Sequence, residues 1–90
     1  AEALRLNFVQ KVVPAAQVLD EALRIAQAIA EQAPLAVVAT RMNALKAVEH
    51  GPLMAMQDFI STQQRLSNSE DAAEGVRSFT EKRPARFSGR

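Results

Sequence analysis

Two residues near the end of the chain have side chains that could take part in ligand binding. Phe79 and Lys82 lie three residues apart at the end of a short amphipathic segment, and this spacing places two side chains close together on a helix surface. The two side chains could therefore frame a single pocket. The simpler alternative is that Phe79 closes an apolar helix face and that Lys82 belongs to a solvated tail.

Basic residues are concentrated in this same part of the chain. Residues 76–90 carry net charge +4, residues 1–75 carry −3, and the total is +1. The basic residues are Arg77, Lys82, Arg83, Arg86 and Arg90, against Glu81 alone. The end of the chain is therefore expected to face an anion. A nucleic-acid-binding domain based on residues 77–90 is a weaker alternative, because the near-neutral total does not provide the broad basic face that such binding needs.

The sequence offers no set of residues for catalysis or metal binding. His50 is the only histidine and there is no cysteine, so no zinc site can be completed. His50 is expected at a helix end, where a cation is favourable. The serines lack a positioned base. Glu70 and Asp71 are adjacent, and their position at a helix N-terminus explains them as partners of the helix dipole.

Composition indicates a small helical protein. A chain of 90 residues buries only about 60% of its unfolded surface, and alanine-rich sequences with four Phe, no Trp and no Tyr favour closely packed helices. No apolar run is long enough to span a membrane. The absence of cysteine is compatible with the cytoplasmic location that we expect.

Periodicity and breaking residues predict an all-α fold of four to five short amphipathic helices, preceded by a short extended segment. Residues 1–6 resemble the end of a helix, closed by a left-handed Asn7, and Phe8–Val13 is predicted as a short strand or extended connector. The predicted helices are Ala15–Ala33, Leu35–His50, Leu53–Leu66, and a last one that begins after Asn68 or Ser69 and ends near Thr80. In the last helix, the face of Ala72, Ala73, Val76 and Phe79 is expected to dock on a partner.

The order of these elements, together with three short motifs, is similar to the C-terminal part of the enoyl-CoA hydratase/isomerase (crotonase) family. The most specific motif is Glu74–Arg83, EGVRSFTEKR, followed by Pro84 and by Phe87–Arg90. Val12–Pro14 and Ala33–Ala36 resemble two further family landmarks. The resemblance covers essentially all 90 residues.

The resemblance implies a function for the whole family member and a role for this segment. Residues 1–13 would end a spiral core, and residues 14–90 would form the helical domain that builds trimers or hexamers and covers the active site. The catalytic glutamates would lie outside this chain, which has no catalytic residue of its own. The substrate would be an acyl-CoA thioester, with no separate cofactor, no metal, no nucleic acid and no membrane partner.

Phe79 and Lys82 match the aromatic and basic residues that some family members present to the adenosine end of coenzyme A. The ring suits adenine and the ammonium group suits a phosphate. Gln63 stands where some members place a second aromatic residue, and Asn7 replaces the commoner glycine.

Two hypotheses remain open at this stage. As a fragment of a hydratase or isomerase, the chain would be catalytically inactive and would self-associate through exposed apolar area. As a complete helical interaction module, it would dimerise through the stripe of residues 18–33 and dock a partner on its last helix.

Overall fold

The computed structural model describes residues 1–90 and contains helices without any β-strand, as the all-α prediction requires. The α-helices are α1 (Glu2–Arg5), α2 (Val18–Ala30), α3 (Pro34–His50), α4 (Pro52–Gln57), α5 (Phe59–Ser67) and α6 (Glu70–Glu81). A 3₁₀ turn, Ala15–Gln17, precedes α2. Residues 83–90, hereafter the tail, follow α6 without regular structure.

Most helix boundaries lie where local residues require them. Pro34 and Pro52 occupy the first position of α3 and α4, where a missing N–H leaves no helix hydrogen bond unmade. Gly51 joins these two helices with φ of 87°, a conformation that glycine adopts without strain. Ser69 caps α6, because its Oγ accepts a hydrogen bond from the Ala72 N–H at 3.1 Å.

Two predicted helices differ in detail from the structure, and the extended segment that was predicted before the helices is present. The predicted helix Leu53–Leu66 is divided at Asp58 into α4 and α5, and the Asp58 carboxylate binds Lys46 of α3 at 2.5 Å instead of capping α5. The helix predicted over Ala15–Ala33 begins as a 3₁₀ turn and ends at Ala30. Phe8–Val13 is an extended connector, because no neighbouring strand is present to pair with it.

The chain forms a flat, open assembly of helices with almost no core. Its radius of gyration is 16.6 Å and its extents are 43 × 37 × 18 Å, whereas a compact domain of this length has a radius of gyration of about 12 Å. Ala55 is the single buried apolar residue. The helices therefore pack against one another along their edges and leave their apolar faces uncovered.

The uncovered faces include those that the sequence pattern marked as interior. On α2 and α3, apolar side chains with more than half of their surface exposed are Val18, Leu19, Leu23, Ile29, Val38, Met42 and Val48. Helix α3 packs against α4 and α5, and α5 packs against α6. Through α5, these contacts connect α6 and its tail to the rest of the helices.

Candidate functional site

Phe79 and Lys82, together called the rim, lie at the C-terminal end of α6 with both side chains accessible. The Phe79 ring is 86% exposed, so it is not a core residue of this chain. Lys82 is the first residue after α6 and is also exposed. The assignment of these two residues to ligand binding remains a prediction.

Lys82 adopts the left-handed conformation, with φ of 52° and ψ of 43°. Its N–H donates to the Phe79 carbonyl at 3.3 Å, and the Arg83 N–H donates to the Ser78 carbonyl at 3.1 Å. This pair of bonds is the Schellman motif, in which glycine is the usual left-handed residue. Asn7 ends α1 in the same way, with φ of 58°, which confirms the left-handed Asn7 that was predicted.

The face of α6 that is buried in this chain is polar, not apolar. Asp71, Glu74 and Ser78 are buried at 3%, 9% and 7% exposure, whereas Val76 on the predicted docking face is 71% exposed. Of the predicted docking face, Ala72 is partly buried, whereas Val76 and Phe79 are left largely uncovered. The polar face is covered by the tail, which folds back along the helix.

Glu74 holds the beginning of the tail. Its carboxylate accepts two hydrogen bonds from the Arg83 guanidinium, at 2.5 and 3.1 Å, and one from the Arg86 N–H at 2.9 Å. Arg77 lies 3.2 Å away on the same helix. The hydrogen bonds from Arg83, then that from the Arg86 backbone, lower the pKa of Glu74 to about 2.

Asp71 holds the end of the tail. Its two carboxylate oxygens accept hydrogen bonds from the Ser88 N–H at 2.6 Å and the Gly89 N–H at 2.9 Å. Its own N–H donates to the Arg90 carbonyl at 3.1 Å. The prediction that a helix N-terminal position accounts for Asp71 is therefore incomplete, because its carboxylate mainly accepts hydrogen bonds from the backbone of the tail.

The tail lies along α6 in an extended form, with side chains that alternate in exposure. Ala85, Phe87 and Gly89 are partly buried, and the residues between them are exposed. The Phe87 ring lies over Gly75, where an added Cβ would be 3.9 Å from Cε1. Gly89 lies against Pro34 at the start of α3. We call the contacts of Asp71 and Glu74 with the tail the latch.

The latch changes which basic residues remain free to meet an anion. Arg77 and Arg83 both pair with Glu74, and Arg83 also pairs with Glu81 at 2.5 Å. The remaining basic residues of this region make no ion pair in the chain, and these are Lys82, Arg86 and Arg90. The basic residues that could still face an anion are thus these three, and Lys82 lies at the same helix end as Phe79.

A second concave surface lies between α3 and α5. Its volume is about 430 Å³, and its lining includes Met42, Phe59, Gln63 and Leu66. The Lys46–Asp58 ion pair also lines it. Gln63 therefore belongs to this groove, whose lining does not include Phe79 or Lys82.

No group of three or more His, Cys, Asp and Glu side chains is placed to hold a metal ion. No helix in the chain combines the length and the hydropathy needed to cross a bilayer. Fold and site together define an open layer of helices that ends in an exposed aromatic side chain and an exposed cationic one.

The comparisons with known proteins identify the family of this layer. The family model of enoyl-CoA hydratase/isomerase matches residues 1–90, and the chain belongs to that family. It is 37% identical over 93 aligned residues to the carnitinyl-CoA dehydratase of Proteus mirabilis. The family resemblance that the sequence motifs indicated is confirmed.

Solved structures agree in fold and in extent. A crystal structure from Mycobacterium abscessus, described as a probable enoyl-CoA hydratase/isomerase, is 45% identical with a TM-score of 0.93. An enoyl-CoA hydratase/isomerase from Mycobacterium paratuberculosis is 34% identical with a TM-score of 0.87. Each match covers 99% of this chain and 35% of the other. The chain likewise spans 36% of the length of the Proteus mirabilis relative.

Proposed function

We propose that this chain is the C-terminal helical part of an enzyme that acts on acyl-CoA thioesters, by hydration, dehydration or isomerisation. The chain supplies no catalytic residue; it covers the catalytic core, contributes to a homotrimer or hexamer, and presents Phe79 and Lys82 to the adenosine end of coenzyme A. Family membership supports the substrate class. The absence of cysteine is compatible with a cytoplasmic enzyme.

The observation that carries the proposal is the excess of exposed surface. The chain exposes 7586 Å², whereas a compact protein of 9.8 kDa exposes about 5,200 Å². The difference, about 2,400 Å², falls in the size range of permanent interfaces. Apolar side chains on α2 and α3 are part of this exposed surface. We therefore expect another protein domain or subunit to pack against these two helices.

The rim supports the assignment of the ligand-binding end. A largely exposed ring and an unpaired ammonium group at the same helix end offer stacking for a planar base and charge for a phosphate. Lys82 is accessible at the helix end and makes no ion pair with the carboxylates nearby, which bind Arg77 and Arg83 instead. The rim is therefore suited to tuning substrate affinity and contributes nothing to the chemical step.

Steady-state kinetics of the full-length enzyme test the role of the rim. Lys82→Ala should raise the KM for acyl-CoA about two- to five-fold, because an exposed charge contact contributes up to about 1 kcal/mol, and kcat should not change, because the contact is equal in ground and transition states. Glu70→Gln, an exposed change in the same helix, is the control. An unchanged KM in Lys82→Ala would assign Lys82 to a solvated tail.

The association state of the isolated 90-residue chain tests the covering role. Light scattering at micromolar concentration should give a mass above that of one chain, because the uncovered faces of α2 and α3 seek apolar contact. The isolated chain should show no hydratase activity at any concentration. A stable monomer would contradict the covering role and favour an independent interaction module.

A further inference from the structure

Lys82 has a backbone conformation that its own residue type does not favour. A residue with a Cβ rarely adopts positive φ, and glycine would make the same helix end without strain. Such conformations persist where the surrounding structure determines them. Two features can account for a lysine at this position: the contacts that hold residue 82 and the role of the lysine side chain.

The latch fixes the backbone next to Lys82. Arg83 directly follows Lys82, and its guanidinium is fixed by two hydrogen bonds to Glu74, about two turns earlier in α6. The Arg83 N–H is fixed by the Ser78 carbonyl at 3.1 Å. The backbone on the C-terminal side of Lys82 is thus tied back to the helix, and the Lys82 N–H is tied to Phe79 on the other side.

Glu74 can hold Arg83 in place without contacting the ligand itself. Its side chain is only 11% exposed, and it lies on the face of α6 that the tail covers, whereas Phe79 is on the exposed side. Any effect of Glu74 on ligand affinity must therefore pass through the groups that it binds, which are Arg83, Arg77 and the Arg86 N–H. Of these, Arg83 is the one that directly follows the turn at residue 82.

We propose that Glu74 is a positioning residue for the coenzyme A end of the substrate: by binding Arg83 it holds Lys82 in its left-handed turn and so sets the direction in which the ammonium group projects from the end of α6. The proposal rests on the function proposed above. Without the latch, residue 82 relaxes toward ordinary helical or extended angles, and the ammonium group projects from the end of α6 in a different direction.

The test compares two substrates of the full-length enzyme: an acyl-CoA, and the same acyl group on N-acetylcysteamine, which lacks the nucleotide. Glu74→Gln removes the charge and one of the two acceptors for Arg83. The KM for acyl-CoA should rise about two- to five-fold, the range set by an exposed charge contact. The kcat, and the kinetics of the truncated thioester, should stay unchanged. Glu70→Gln should change neither substrate.

Two further variants separate positioning from general support. In Glu74→Gln/Lys82→Ala, the KM for acyl-CoA should equal that of Lys82→Ala alone, because both changes remove the same contact. Arg83→Lys keeps the charge and loses the paired geometry, so it should raise the KM by less than Glu74→Gln does. This milder variant also retains a measurable enzyme if Glu74→Gln does not fold.

The outcomes distinguish this inference from the function on which it rests. Equal loss of both substrates in Glu74→Gln and Arg83→Lys, additive effects in the double variant, or an unchanged KM in Glu74→Gln would each overturn the positioning role. A raised KM in Lys82→Ala with none in Glu74→Gln would leave the rim assigned and remove only Glu74. An unchanged KM in Lys82→Ala would overturn the rim and the positioning role together.

Discussion

Arg83 reaches back nine residues to bind Glu74 with both terminal nitrogens, Nη1 at 2.5 Å from Oε1 and Nη2 at 3.1 Å from Oε2. Paired N–H···O bonds of this kind are stronger and more directional than a single charge contact. Both side chains are partly or largely shielded from water. The pair joins the end of α6 to its own middle and begins the path that the tail follows.

The first prediction concerns the order of the tail. Glu74→Gln should speed amide hydrogen exchange at Arg86 and, to a smaller degree, at Ser88 and Gly89, because the latch loses its first attachment while Asp71 still holds the second. Exchange measured by mass spectrometry on the C-terminal peptide of the full-length protein checks this. Glu70→Gln is the matched control, and equal exchange in the two variants would contradict the latch.

The second prediction concerns acid. The folded pKa of Glu74 is about 2, below its ordinary value of 4.5, so the latch contributes stability above about pH 4.5 that is lost as the pH falls toward 2. A fluorine label on Phe87 should report release of the tail through this range. Glu21 has a similarly lowered pKa of about 2, from Arg24 and Lys11, but it is distant in sequence and unchanged by substitution at Glu74.

The comparison that isolates Glu74 is the same titration in Glu74→Gln. This variant should show a partly released Phe87 already at pH 5, with Asp71 still holding Ser88 and Gly89, and little further change from position 74 on acidification, because a glutamine does not titrate. A wild-type transition that persists unchanged in the variant would contradict the assignment of the acid sensitivity to Glu74.

The helices of this chain could be predicted from sequence because their boundaries are set locally. Pro34, Gly51 and Ser69 each act on the few residues next to them, through a fixed φ, a positive φ and a capping hydroxyl. The division at Asp58 could not be predicted, since it carries no breaking residue type and its carboxylate is engaged by Lys46 of another helix.

The rim could likewise be predicted from local sequence, whereas the latch could not. Phe79 and Lys82 are neighbours on one helix end, so their spacing was sufficient to suggest a pair. The partners of the Asp71 and Glu74 carboxylates are backbone and guanidinium groups up to 18 residues away, which no periodicity indicates. Two carboxylates spaced along one face, followed by a proline-containing basic tail, were the available signal, and the helix dipole explained only their charge.

The third prediction concerns Gly75, the glycine in the middle of α6. Gly75→Ala should stabilise the protein by about 0.5–1 kcal/mol, because alanine restricts the unfolded chain and favours helix. The added Cβ would meet Phe87 Cε1 at 3.9 Å, an ordinary contact. Thermal unfolding of the full-length protein checks the sign, and Gly75→Val, which adds two methyl groups against the ring, should lose the gain. A destabilised Gly75→Ala would show that the ring lies closer than it does here.

The fourth prediction separates the turn at residue 82 from the charge that it carries. Lys82→Gly and Lys82→Ala both remove the ammonium group, so both should raise the KM for acyl-CoA by the same factor. They differ in the backbone: the left-handed conformation costs a residue with a Cβ about 1–2 kcal/mol, and glycine nothing. Lys82→Gly should therefore unfold at a higher temperature than Lys82→Ala.

Compared with glycine at position 82, lysine should therefore stabilise the fold less and bind acyl-CoA more tightly. Lys82→Gly is expected to be at least as stable as the wild type while it binds acyl-CoA more weakly, the pattern of a residue retained for what its side chain contacts. Thermal unfolding and KM measured on the same three proteins decide this. If glycine lowers the unfolding temperature below that of alanine, residue 82 is not left-handed in the assembled enzyme, and the latch has no turn to hold.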